Sequence, residues 1–252
     1  MQFSSLGSGS KGNATLVRCG RQLLLIDCGF SLKETEMRLQ RLDVQPHHID
    51  AIVVTHEHGD HIKGVGPLAR KFKLPVYMTA GTARNGNIGA IQWPHIIRDY
   101  QPFLIADLQV FPIAVPHDAS EPAQYIFEMN EKRLGLLTDL GSISPHVEKQ
   151  YSGCHALIIE ANHDPIMLAS GPYPEPLKKR VGGAWGHLSN QQASKFVERM
   201  DKSQLQCLVV AHISQQNNEL QLAQQAFSQY HRDIQQIVYA CQQQGFDWLD
   251  ID

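Results

Sequence analysis

Within the six residues His56-Glu57-His58-Gly59-Asp60-His61, the four side chains His56, His58, Asp60 and His61 are spaced to bind a metal ion. In an extended segment alternate side chains share a face, so His56, His58 and Asp60 converge on one point, while His61 swings out as the chain turns into a helix. Neutral imidazoles joined to a carboxylate suit zinc, iron or manganese, and a donor set mixing nitrogen with oxygen leaves room for water at the metal. No thiolate belongs to the cluster. The bland alternative is a His-rich surface loop. It fits poorly with four donors at this spacing directly after the apolar, β-branched run 51–55. Three more candidates end later apolar runs: His117, Asp139 and His212. Taken singly, each is as readily a structural hydrogen-bonder at a strand end.

Strands and the loops after them must position these donors. Apolar runs at 15–17 and 22–27, split by Cys19-Gly20, predict a hairpin ending at Asp27. Ser31 and Glu34 have the spacing of a capping box and open a helix to about residue 42. The buried strand 51–55 feeds the His56 loop, and a helix follows to about residue 73. Further strands are expected at 76–79, 108–115, 124–129, 133–138, 157–160, 207–211 and 237–240, with helices at 189–200 and 218–230. No repeat and no linker interrupts the series. The pattern predicts an α/β protein: one domain over residues 1–252, with two mixed β-sheets packed face to face and helices outside, a four-layer αββα sandwich.

Composition narrows the function classes. With 42% hydrophobic and 19% charged residues, and no apolar run approaching the ~20 residues of a membrane span, nothing predicts a transmembrane helix. The first residues, Met1 to Gly9, show neither a basic leader nor an apolar stretch, so a cytoplasmic location is expected. Five scattered cysteines without a Cys-x-x-Cys pair predict reduced thiols rather than disulfides or a zinc ribbon. A net charge of -3 excludes a global basic field, leaving only local patches such as Lys11, Lys63, Lys178, Lys179 and Arg180 to meet phosphate.

The His56-x-His58-x-Asp60-His61 pattern resembles the signature of the metallo-β-lactamase-fold hydrolases, and the similarity extends over nearly the whole chain. The resemblance implies that His117, Asp139 and His212 complete the ligand set. His56, His58 and His117 then hold one divalent ion, Asp60, His61 and His212 a second, and Asp139 bridges them. The ions it implies are zinc or manganese, with iron a further option. Asp27 matches the early aspartate that buttresses the metal loop. His58 stands where flavodiiron relatives carry Glu, which favours hydrolysis over oxygen reduction.

A narrower resemblance rests on Ser8-Gly9-Ser10-Lys11-Gly12-Asn13, His61-Ile62-Lys63-Gly64-Val65, Glu160-Ala161-Asn162-His163-Asp164, Gly186-His187-Leu188-Ser189-Asn190 and the segment from His212 to Asn218. In this order they resemble the YycJ/WalJ branch, which is nuclease-like. The implied function is exonucleolytic phosphodiester hydrolysis on DNA, with a hydroxide shared by the two ions attacking phosphorus. The alternatives are a thioester, lactone or ester hydrolase of the same fold and, from another class, a non-catalytic binding module. His187 and His163 are the candidate catalytic imidazoles, for proton donation or a grip on phosphate. Against that, His187 could merely pack beside the Ser189 cap and His163 orient a turn. Trp185 reads as a core residue, with base stacking as its other use.

Overall fold

The computed structural model describes residues 1–252. Strands β1 (Gln2–Gly7), β2 (Ala14–Cys19), β3 (Gln22–Ile26), β4 (Ala51–Val53), β5 (Val76–Thr79) and β6 (Pro94–Ile97) build the first sheet. The second contains β7 (Phe103–Ile105), β8 (Leu108–Ala114), β9 (Ala123–Met129), β10 (Lys132–Leu137), β11 (Ala156–Glu160), β12 (Cys207–Ala211) and β13 (Gln236–Tyr239). A last strand, β14 (Phe246–Asp250), returns to the first sheet and pairs antiparallel with β1. The orders are β14-β1-β2-β3-β4-β5-β6 and β13-β12-β11-β10-β9-β8-β7. Each sheet is antiparallel on one side and parallel on the other, the parallel pairs being β3 to β6 and β10 to β13.

Side-chain alternation explains the layers. On β3, Leu24 and Ile26 enter the core between the sheets, and Leu23 and Leu25 enter a second core on the outer face. On β12, Val209 points between the sheets, and Leu208 and Val210 point outward. The outer cores are closed by α1 (Leu32–Arg41) and α3 (Val65–Phe72) on one side. On the other they are closed by α5 (Pro145–Tyr151), α8 (Asn190–Arg199) and α9 (Leu220–Phe227). Strands covered on both faces must be apolar throughout, which is why 51–55 and 207–211 stand out as continuous runs. The short helices α2 (Gly59–Ile62), α4 (Ala80–Asn85), α6 (Pro165–Ser170) and α7 (Glu175–Val181) lie in connections. This is the expected αββα sandwich of two mixed sheets. No helix is long and apolar enough to cross a membrane.

Several elements differ from expectation. The helix expected up to residue 73 is two helices, α2 and α3, separated at Lys63 and Gly64. The helix expected to residue 230 ends at Phe227 and continues as a 3-10 turn, 228–232. β1 was not expected, because Ser4 and Ser5 disguise a strand that is buried from Phe3 to Gly7. Their hydroxyls donate to the carbonyls of Phe246 and Ala14 at 2.9 and 3.1 Å. The edge strands β6 and β7 are too short for an apolar period.

Asp99, just after β6, has a buried carboxylate oxygen with no hydrogen-bond partner. Burial and the nearby Glu121 carboxylate push its pKa up to about 6. The folded protein therefore binds this proton more tightly than the unfolded chain, and stability falls as pH rises from about 4 to about 6. Asp99→Asn is expected to raise the melting temperature at pH 8 by roughly 2 °C or less, since the half-exposed site is screened. The gain should vanish near pH 4, and thermal unfolding at the two pH values checks it.

Candidate metal centre

The centre forms where the strands of both sheets end. Asp27, following β3, adopts a left-handed conformation with φ of 60°. Its Oδ1 accepts the Thr55 N–H at 2.8 Å, and its Oδ2 accepts the Thr55 hydroxyl at 2.7 Å. The same Oδ2 lies 2.8 Å from His61 Nδ1, which therefore carries the proton and leaves Nε2 free for the cleft. Gly29 is required beside it: a Cβ there would lie 1.8 Å from the Asp60 carbonyl oxygen.

Alternation brings His56 and His58 together, whereas Asp60, expected to converge with them, lies on α2 with its carboxylate beside His61. His56 Nε2 is 3.0 Å from His58 Nδ1, and His117 Nε2, arriving after β8, is 3.3 Å from the same atom. His117 Nδ1 faces the Gly186 carbonyl at 3.0 Å, which directs Nε2 inward. Asp139 after β10 and His212 after β12 are left-handed, with φ of 53° and 50°. These turns aim both side chains across the cleft. Asp139 Oδ1 lies 3.1 Å from His212 Nδ1, and Oδ2 lies 3.5 Å from His61 Nε2. Asp60 Oδ2 is 3.6 Å from His61 Nε2. The donor atoms of His56, His58 and His117 lie within 4.8 Å of one another, as do those of His56, His61 and Asp139; His212 groups in the same way with Asp139, Glu160 and His187 rather than with Asp60 and His61.

The electrostatics fit a cation. Asp139 Oδ2 is buried without a hydrogen-bond partner, an arrangement that costs free energy unless a positive charge is shared there. Burial, and then the neighbouring His61, hold His56 well below the ordinary imidazole range, so it presents a neutral ring. Burial lowers His117 as well. Burial would also lower His61 and His212, but the Asp139, Asp27 and Asp60 carboxylates hold His61 well above its usual value, and Asp139 and Glu160 push His212 up to about 10. Such a concentration of negative charge among imidazoles with free nitrogens is what divalent cations require.

Glu160, at the end of β11, was assigned no role from sequence. It is fully buried, and its Oε1 accepts the N–H groups of Leu140 and Leu188, both at 2.9 Å. Its Oε2 lies 3.0 Å from His187 Nδ1. Burial alone would raise this carboxyl, but His187 and His212 hold it at about 2. A charged residue closing the apolar run 157–159 was the sequence cue, since a buried carboxylate needs a partner. Asn13 was likewise missed as a contact. Its amide lies 3.4 Å from Asp60 Oδ2 and 3.1 Å from His61 Nε2.

His187 lines the cavity beside the donors, 3.7 Å from Asp139 Oδ1. His163 does not line it. It is buried behind the wall, its carbonyl accepts the Asn190 N–H at 2.9 Å, and the neighbouring Asp164 caps α6. The cavity has a volume of about 330 Å³, with Ser10, His58, Asp60 and Asp139 on one side and α7 on the other. Trp185, read above as core, is instead 63% exposed. Its loop is held by its backbone, the Trp185 carbonyl accepting the Asp118 N–H at 2.9 Å, which turns the indole outward.

Residues 22–213 match the β-lactamase superfamily domain. The chain is 37% identical to exodeoxyribonuclease YycJ of Bacillus anthracis, with 91% of this chain and 88% of the relative covered. It is 34% identical to exodeoxyribonuclease WalJ of Streptococcus pneumoniae, with 88% and 85% covered. Among solved structures, the metallo-β-lactamase fold protein YhfI of Bacillus subtilis superposes with a TM-score of 0.74 at 17% identity, covering 99% of each chain. The short form of human tRNase Z gives 0.69 at 19% identity, covering 100% of each. These two likenesses show the fold. The chain therefore belongs to the metallo-β-lactamase-fold hydrolases, the β-lactamase superfamily, in its YycJ/WalJ branch.

Proposed function

We propose that this protein is an exodeoxyribonuclease that hydrolyses phosphodiester bonds at a centre of two divalent ions, zinc or manganese. The observation that carries this reading is the juxtaposition of the donor set with a Glu160-backed imidazole, His187, on the same cavity wall. The names of the relatives matched over most of the chain support DNA as the substrate. His56, His58 and His117 would hold one ion and Asp60, His61 and His212 the other, with Asp139 between them. When bound, the ions supply an acidified water and neutralise charge at phosphorus.

The residues of the chain provide the rest. Asp27 and Thr55 fix the orientation of His61, and Glu160 fixes that of His187. His187 Nδ1–H rests on Glu160, so Nε2 is the atom that donates a proton to the departing 3′-oxygen as the P–O bond breaks and its electron pair moves to that oxygen. Glu160 then remains beside the ring that has given up its proton. The product keeps the phosphate on its 5′ end. A single catalytic domain and a cytoplasmic setting belong to the same reading, the latter supported by five unpaired cysteines, four of them buried.

The test is digestion of end-labelled DNA with manganese or zinc added, after the metal content of the purified protein has been measured. Short products bearing 5′-phosphates are expected. If DNA and RNA stay intact under both metals while a thioester or lactone is turned over, the nuclease reading falls.

A further inference from the structure

We propose that the wall of the cavity formed by α7 and the loop leading to His187 binds the terminal nucleotide of a DNA strand, with Trp185 stacking on its base and Arg180 pairing with its phosphate. The inference rests on the nuclease reading and deepens it. Exposed aromatic residues are common singly, so exposure alone says little. Trp185 differs in its place: the next two residues, Gly186 and His187, line the cavity, and its carbonyl is bound by the N–H of Asp118, the residue after His117.

The loop is held tightly. Gly186 is pressed against α7 so closely that a Cβ would lie 2.1 Å from the Arg180 carbonyl oxygen. The Gly186 N–H reaches the Gly183 carbonyl at 2.9 Å, the His187 N–H reaches that of Val181 at 2.8 Å, and the Ser142 hydroxyl reaches that of Ala184 at 3.1 Å. A 63% exposed indole on so constrained a backbone is a preorganised stacking surface. Arg180 is exposed at the cavity, with its Nε hydrogen-bonded to Asp118. That contact fixes the guanidinium plane and leaves its other N–H groups for a phosphate oxygen. Every base has an apolar face, so stacking of this kind tolerates any sequence. It also demands an unpaired base, which a strand end provides.

The test uses the metal-loaded full chain and two oligodeoxynucleotides that differ only in a normal or an abasic terminal residue. Trp185→Ala is expected to raise KM roughly tenfold on the normal strand, with kcat changed less than about twofold, and to leave KM on the abasic strand unchanged. Trp185→Phe should restore most of the loss. Arg180→Ala should raise KM on both strands and reduce the salt dependence of binding. Separately, the normal strand should quench indole fluorescence in the wild type and not in Trp185→Phe. Equal KM values for wild type and Trp185→Ala on the normal strand would overturn the inference and leave the nuclease standing. A wild type that neither cuts nor binds either strand would overturn both.

Discussion

Replacing Asp139 with alanine is expected to strip the protein of metal and turnover while leaving it folded. The carboxylate faces His212 at 3.1 Å with one oxygen and His61 at 3.5 Å with the other, and it lies within 4.8 Å of the His56 donor atom, so it reaches both halves of the donor set. Its loss leaves two imidazoles without their shared counter-charge. Metal content should fall from about two ions per chain to one or none, and kcat/KM should drop on the order of 10³-fold or more. The fold should survive, because the cores between and outside the sheets are untouched. Elemental analysis, steady-state kinetics and circular dichroism on one preparation make the check. Full turnover with two bound ions would refute the bridging role.

The second large effect is expected at His187. His187→Ala should lower kcat on DNA by roughly 10²- to 10⁴-fold, the range for a lost general acid, with metal content unchanged. Glu160→Gln should cost about 10- to 100-fold, because it keeps an acceptor for the Leu140 and Leu188 N–H groups but no longer orients the ring as a carboxylate does. A phosphodiester with a p-nitrophenolate leaving group separates chemistry from structure. That group departs without a proton, so His187→Ala should be far less impaired on it than on DNA. Equal losses on both substrates would assign His187 a structural part instead.

Much of this centre was legible from residues alone because His56, His58, Asp60 and His61 are contiguous and follow an apolar strand. The two-residue repeat of an extended chain brings His56 and His58 together, and the turn into α2 adds Asp60 and His61. The doubly covered strands were legible for a related reason, since burial on both faces forces unbroken runs such as 207–211. Glu160 was hidden because its partners, Leu140, Leu188 and His187, are 20 to 28 residues away and meet it only in the fold. Ser4 and Ser5 misled because hydroxyls satisfied by backbone carbonyls are as buried as apolar groups. Trp185 misled in the opposite sense: hydrophobicity predicts an interior place, and only the backbone contacts of its loop turn it out.

The left-handed turns at Asp139 and His212 set this protein's course under heat selection. Each holds a side chain other than glycine in a sparsely populated backbone region, at a cost on the order of 1 to 3 kcal/mol apiece. A screen that rewarded survival at high temperature, and ignored turnover, would find relief by placing glycine at these positions. The survivors would be sturdier sandwiches with an inert cleft. Wherever such a screen is run without an activity filter, these two turns are where it would trade catalysis for durability.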